Sequence, residues 1–188
     1  MTDTSEEKMK KARIGPLKVH NATIDLFEYD SNWPILFQKE KAQLESILGG
    51  RALTIEHVGS TSVPGLIAKP IIDMLLVVQN SAEESSYVPD LEAAGYILRI
   101  REPDWFEHRL FKGPDTSINL HTFSKGSSEI DKMLLFRDYL RSHPDERDLY
   151  ANTKRKLAKR TWKYIQHYAD AKTEVVESII QRARQVSK

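Results

Sequence analysis

The residues best suited to chemistry lie between Leu53 and Val78, in LTIEHVGSTSVPGLIAKPIIDMLLVV. Leu53, Ile55 and Val58 start a strand that ends at Gly59-Ser60; Thr61, Ser62 and then Pro64-Gly65 turn the chain. A second strand, Ile71 to Val78, is apolar throughout except at Asp73. A carboxylate set into a buried strand carries a heavy desolvation cost unless a partner answers it. A Gly-Ser turn at a strand end lets a phosphate approach the backbone, and a helix start after it supplies unpaired amides and the positive end of a dipole. A carboxylate on the adjacent strand then holds a divalent cation against that phosphate. Phosphate handling is the chemistry this arrangement suits, and the bland alternative is a turn beside a satisfied core Asp.

The order and spacing are specific: Gly59-Ser60, twelve residues (61 to 72), then Asp73 inside an apolar strand. They resemble the signature of the nucleotidyltransferase (polymerase-beta-like) superfamily. Within it the wording HVGSTSVPGLIAKPIIDMLLVV is similar to the GrpB family, found also as a C-terminal domain of some dephospho-CoA kinases. HRLF (108–111), NLHTF (119–123), FRDYLRSHP (136–144) and YANTKRKLA (150–158) add to the resemblance, which runs roughly from Tyr29 to Ala183. It implies an α+β nucleotidyltransferase fold, with a mixed β-sheet, helices mainly on one face and a helical C-terminal region. It also implies transfer of a nucleotidyl group from a nucleoside triphosphate to an acceptor, with Mg2+ or Mn2+ as cofactor.

One departure bears on that activity. The superfamily's active strand carries two carboxylates two residues apart, whereas Asp73 is followed by Met74 and Leu75. The strand in place of the third acid is NLHTF, whose period of two puts Asn119 and His121 on one face. Imidazole and amide are poorer Mg2+ ligands than carboxylate, and His121 suits Mn2+ or Zn2+ better. A substitute acid would have to come from Glu56, Glu102, Asp104, Glu107 or Asp115. His57 and His108 also sit in or beside strands near Asp73, either as ligands or as hydrogen-bonded core groups.

On the transferase reading Asp73, Arg109 and His121 are catalytic. Gly59, Ser60, Thr61 and Ser62 hold phosphates, Asp73 binds the metal with His121 and Asn119 beside it, and Lys69, Arg137, Arg141 and Lys154 neutralise the pyrophosphate. Two other readings stand beside it: a non-catalytic module for a nucleotide or phosphorylated metabolite, and an accessory folding domain.

The elements that must position these residues follow from pattern. Residues 1–20 are polar and read as a flexible leader, and 21–188 as a single domain. Ala22 to Glu28 alternates as a short strand. Asp30-Ser31-Asn32 and Pro34 open a helix that Gly49-Gly50 closes. Ser81 to Ala94 reads as a helix, Tyr96 to Arg101 as a strand, and His108 to Lys112 with Ser117 to Phe123 as an antiparallel pair. Three helices follow: Glu129 to His143, Asp145 to Asp170 and Lys172 to Gln185. In the second, Lys154 turns toward an apolar face shared by Leu149, Tyr150, Leu157, Tyr164 and Tyr168.

Composition narrows the class. The 188 residues are 40% hydrophobic and 29% charged, with net charge +1 and no cysteine, which excludes disulfides and thiolate metal sites. No apolar run is long enough to cross a membrane, and a cytoplasmic location is expected. The basic run Lys154 to Lys163 reads as a solvated helix face before a nucleic-acid surface. The expected partner is a nucleotide or phosphorylated small molecule, and the sequence leaves the oligomeric state open.

Overall fold

A computed structural model describes residues 4–186. Its five strands are β1 (Thr54–Val58), β2 (Ile72–Val78), β3 (Ile97–Glu102), β4 (His108–Lys112) and β5 (Ile118–Ser124). They form one sheet in the order β1-β2-β5-β4-β3. β2 runs parallel to β5, and the other three pairings are antiparallel. β2 thus has a neighbour on each edge and packed side chains on both faces, which is why its sequence is almost wholly apolar. The α+β architecture expected from the sequence is present.

The helices are α1 (Glu6–Ala12), α2 (Asn32–Leu48), α3 (Val88–Ala93), α4 (Ser128–Ser142), α5 (Pro144–Ala158), α6 (Ile165–Asp170) and α7 (Thr173–Val186). One face of the sheet, with Ile55, Met74, Leu76, Val78, Leu98 and Phe111, packs against Trp33, Phe37 and Leu44 of α2 and Val88 and Leu91 of α3. On the other face Ile130, Met133 and Leu134 of α4 cover Leu75, Val77 and Phe123. A further cluster joins the loop residues Val63, Leu66 and Ile67 to Leu140, Tyr150 and Ile179 from three C-terminal helices. The loop after β1 is therefore clamped by apolar contacts.

Several elements depart from the sequence expectation. The segment read as a strand, Ala22 to Glu28, makes only two isolated bridges, Ala22 with Trp162 and Phe27 with Ala68. The helix expected over Ser81 to Ala94 shrinks to a 3-10 turn at Glu84–Ser86 and α3, with Pro89 in the first turn of α3. The single helix expected over Asp145 to Asp170 splits into α5 and α6. The carbonyl of Ala158 accepts from the Ile24 amide, and the Trp162 amide donates to Ala22, so tertiary pairing breaks the helix where its own periodicity continues. Leu149, placed on the apolar face by periodicity, is exposed.

Within the leader stretch, α1 forms and Arg13 bridges Ile100 at the sheet edge. The Thr4 amide donates to Asp170 at 2.7 Å and the His20 amide to the Lys163 carbonyl at 2.7 Å. The first residues of the leader, 1–3, lie outside the described region.

Candidate functional site

Gly59 sits at φ +68°, a conformation that favours glycine. A Cβ there would come within 2.5 Å of Asp73 Oδ2. The loop backbone therefore lies directly over the carboxylate, and no side chain fits between them. Asp73 is not sealed: its side chain keeps 28% of its surface. It accepts a hydrogen bond from Asn119 Nδ2 at 2.7 Å, and His121 Nε2 lies 3.7 Å from its Oδ1. Burial works to raise its pKa, but the His121 ring, the Asn119 amide and the Lys69 charge outweigh burial and hold it below the usual carboxylate range.

Around this carboxylate gather four lysines. Lys154, on α5 and 2% exposed, donates to Ser60 Oγ at 3.0 Å and to the Ile67 carbonyl, and lies 4.7 Å from the centre of the Tyr150 ring. Burial, with Lys172 adding to it, pushes its ammonium down to about 6. Lys172 and Lys69 both stand over the Tyr168 ring, at 4.4 and 5.9 Å. Burial pushes Lys172 down to about 8 and lowers Lys69 as well. Lys112, also lowered by burial, donates to Asn119 Oδ1. Asp73 is the carboxylate whose charge reaches all four. Cations held so far from water favour an anion between them. The Tyr168 hydroxyl, buried beside them, has no hydrogen-bond partner in the structure.

The structure thus brings together Gly59, Ser60, Asp73, Asn119, His121, Lys69 and Lys154. Lys172 was not singled out from the sequence: it lies in the turn between α6 and α7, where no local pattern marks it.

Other candidates are engaged elsewhere. Arg109 shares its strand face with Phe111, opposite the face of Asp73 and His121, and is gripped by Glu84 at 2.5 Å and Glu107 at 3.1 Å. Arg109, expected among the catalytic residues, is thus held as a buried tie on the face away from Asp73 and His121. Arg137 donates to Glu56 and Asp138, both at 2.7 Å, and to the His57 carbonyl. Arg141 donates twice to the Ser62 carbonyl, at 2.8 and 2.9 Å. Both arginines pin α4 to β1 and the loop. The Thr61 hydroxyl bonds to His57 and the Ile71 carbonyl, and the Ser62 hydroxyl donates to the Gly59 carbonyl. These two hold the loop's shape from within. His57 stacks on Phe37 on the far face, and burial pushes it down to about 4.

The metal-ligand expectation changes in one respect. Asn119 spends its oxygen on Lys112 and its amide on Asp73, so it offers no oxygen to a cation. Of the five acids considered as substitutes, four are engaged elsewhere: Glu56 binds Arg137, Glu102 binds His108, Asp104 binds Lys11 and Glu107 binds Arg109. Among the described residues no group of three or more His, Cys, Asp or Glu could hold a metal ion. The remaining donors, Asp73 Oδ1 and His121 Nε2, fit one cation whose other positions are filled by water or ligand phosphate. They do not fit a pair.

A mixed sheet with a glycine turn folded over a strand carboxylate and lysines closing from the C-terminal helices defines an α+β domain with a cationic cleft. The family model described as GrpB protein matches residues 23–182, and the chain belongs to the GrpB family. A UPF0157 protein of Halalkalibacterium halodurans is 62% identical over 182 residues, 97% of this chain and 93% of that protein. The crystal structure of conserved protein GrpB from Enterococcus faecalis superposes with a TM-score of 0.77 at 32% identity, covering 87% of this chain and all of that one. A dephospho-CoA kinase of Mycolicibacterium paratuberculosis is 28% identical over 88% of this chain, which corresponds to 47% of the kinase.

Proposed function

We propose that the cleft binds the phosphates of a nucleoside triphosphate and, with one divalent cation, transfers the nucleotidyl group to an acceptor. The observation that carries this reading is the convergence of Lys69, Lys154 and Lys172 on the carboxylate that lies beneath the Gly59 turn. Lys154 is fixed by Ser60 and Ile67, so its amino group is pre-positioned, and an arriving phosphate restores the charge that burial disfavours. Lys172 and Lys69, resting on an aromatic face, are free to turn toward the outer phosphate groups. The loop backbone approaches the ligand because Gly59 carries no side chain. A cation held by Asp73 and His121 would supply Lewis-acid neutralisation of the phosphoryl oxygens. The lysines take the share of charge that a second carboxylate-bound metal takes in a two-metal site.

A second reading, binding without transfer, is favoured by one observation. Leu75, where the second acid would stand, is fully buried under α4.

Isothermal titration of the four nucleoside triphosphates, with Mg2+ or Mn2+, tests the proposal on wild type, Asp73→Asn and Lys154→Met. Cation-dependent binding lost in Asp73→Asn, with pyrophosphate released when acceptors are supplied, supports transfer. Cation-independent binding that survives Asp73→Asn but not Lys154→Met supports the binding module. No binding of any triphosphate defeats both.

A further inference from the structure

A chain of hydrogen bonds crosses the sheet to Asp73 from a surface acid. Glu102 Oε2, on β3, lies 2.8 Å from His108 Nδ1 on β4. His108 Nε2 lies 3.1 Å from His121 Nδ1 on β5, and His121 Nε2 faces Asp73 Oδ1 on β2 at 3.7 Å. The rings are held flat against one another. His108 stacks on His121 with centroids 5.3 Å apart and on Phe123 at 4.8 Å, and Trp105 closes edge-on at 5.1 Å.

Hydrogen-bond chemistry fixes where the protons sit. A carboxylate only accepts, so the His108 nitrogen facing Glu102 carries the proton. In the neutral His108 ring, a proton on that nitrogen makes the other one an acceptor. The bond to His121 then requires the proton on His121 Nδ1. When that ring is neutral, Nε2 presents a lone pair to Asp73 Oδ1, itself an acceptor. Two acceptors at that separation repel unless positive charge stands between them. A histidine that packed for its own sake would need neither the register of three successive partners nor an acid at the far end.

We propose that Glu102 and His108 are positioning residues that lock His121 in its Nδ1–H tautomer. His121 Nε2 and Asp73 Oδ1 thereby form a mixed nitrogen–oxygen pair selective for Mn2+ or Zn2+ over Mg2+. The order of preference follows from imidazole being a softer donor than carboxylate, and the orienting acid behind the ligand histidine is the common way of fixing a metal-facing nitrogen. The occupant rests on the cation reading of the proposed function, whereas the tautomer does not.

Nitrogen-15 NMR of the imidazoles in the metal-free full chain, at alkaline pH where the rings are neutral, reads the tautomer directly. The expected result is a proton on Nδ1 of His121. Glu102 is half-exposed, so Glu102→Ala removes the far acceptor without opening the core. In that variant His121 is expected to lose its single tautomer, and Mn2+ affinity by calorimetry to fall about tenfold to a hundredfold. A proton on Nε2 of His121 in wild type overturns the relay. So does a Glu102→Ala protein that keeps both the tautomer and the Mn2+ affinity of wild type. A locked tautomer with no Mn2+ uptake overturns the cation pair and the cation of the proposed function with it. Normal uptake without a locked tautomer overturns the relay alone, and Mg2+ binding more tightly than Mn2+ overturns the mixed donor pair.

Discussion

Gly59 couples backbone geometry to the candidate chemistry. Its left-handed φ and the 2.5 Å approach to Asp73 leave no alternative residue. Gly59→Ala is expected to cost about 1–3 kcal/mol in urea unfolding, from strain plus displacement of the carboxylate. Unchanged stability would show that the turn and the acid are not in contact. At this scale the sequence was legible where function imposed odd residues on a regular background: a glycine closing a strand, and an acid in an apolar run. It was illegible at Lys172, whose surroundings in the chain are unremarkable and whose neighbours in space come from residues 69, 154 and 168. The face on which Arg109 lies was not legible either, because alternation shows which residues share a face, not which face carries the site.

Between elements, what matters is what each helix covers. α4 lays Ile130, Met133 and Leu134 over Leu75, so an acid there would be buried without water. Position 75 therefore suits an apolar side chain and not a carboxylate. On the other face Glu84 joins Arg101 and Arg109, tying the loop before α3 to β3 and β4. Removing Glu84 leaves the Arg109 guanidinium, 4% exposed, with only Glu107 as ion-pair partner. Glu84→Ala is expected to destabilise by about 2–3 kcal/mol, allowing for the partial exposure of Glu84. Triphosphate affinity is expected to stay at the wild-type value. A variant of unchanged stability that binds triphosphate weakly would return Arg109 to the site. Strand positions were legible here because apolar alternation survives packing. Helix limits were not, because the break after Ala158 is made by Ile24 and Ala22, far away in sequence.

For the molecule as a whole, buried neutral histidine sets an acid limit. His57 titrates near 4 when folded, because burial disfavours its charge, against 6.5 when unfolded. Between those values the unfolded chain binds a proton that the folded one refuses, so stability rises with pH there and is lost as pH falls. The loss is expected to approach about 3 kcal/mol by the lower end of that window. Chemical denaturation across the window on wild type and His57→Gln measures it. A variant whose curve is as steep as wild type would assign the effect to other groups.

The docking of residues 4–24 onto α5, α6 and the segment between them has a consequence for synthesis. A chain leaving the ribosome possesses every strand once Ser124 has emerged, so β2 can be paired on both edges with Asp73 already under its turn. Lys154 and Lys172 arrive later, and residues 4–24 must wait to clasp the later segment 158–170. The nascent protein therefore holds Asp73 with Lys69 and Lys112 before Lys154 and Lys172 complete the cluster. On the proposed reading, anion affinity is completed only when residues 154–172 dock beside the sheet.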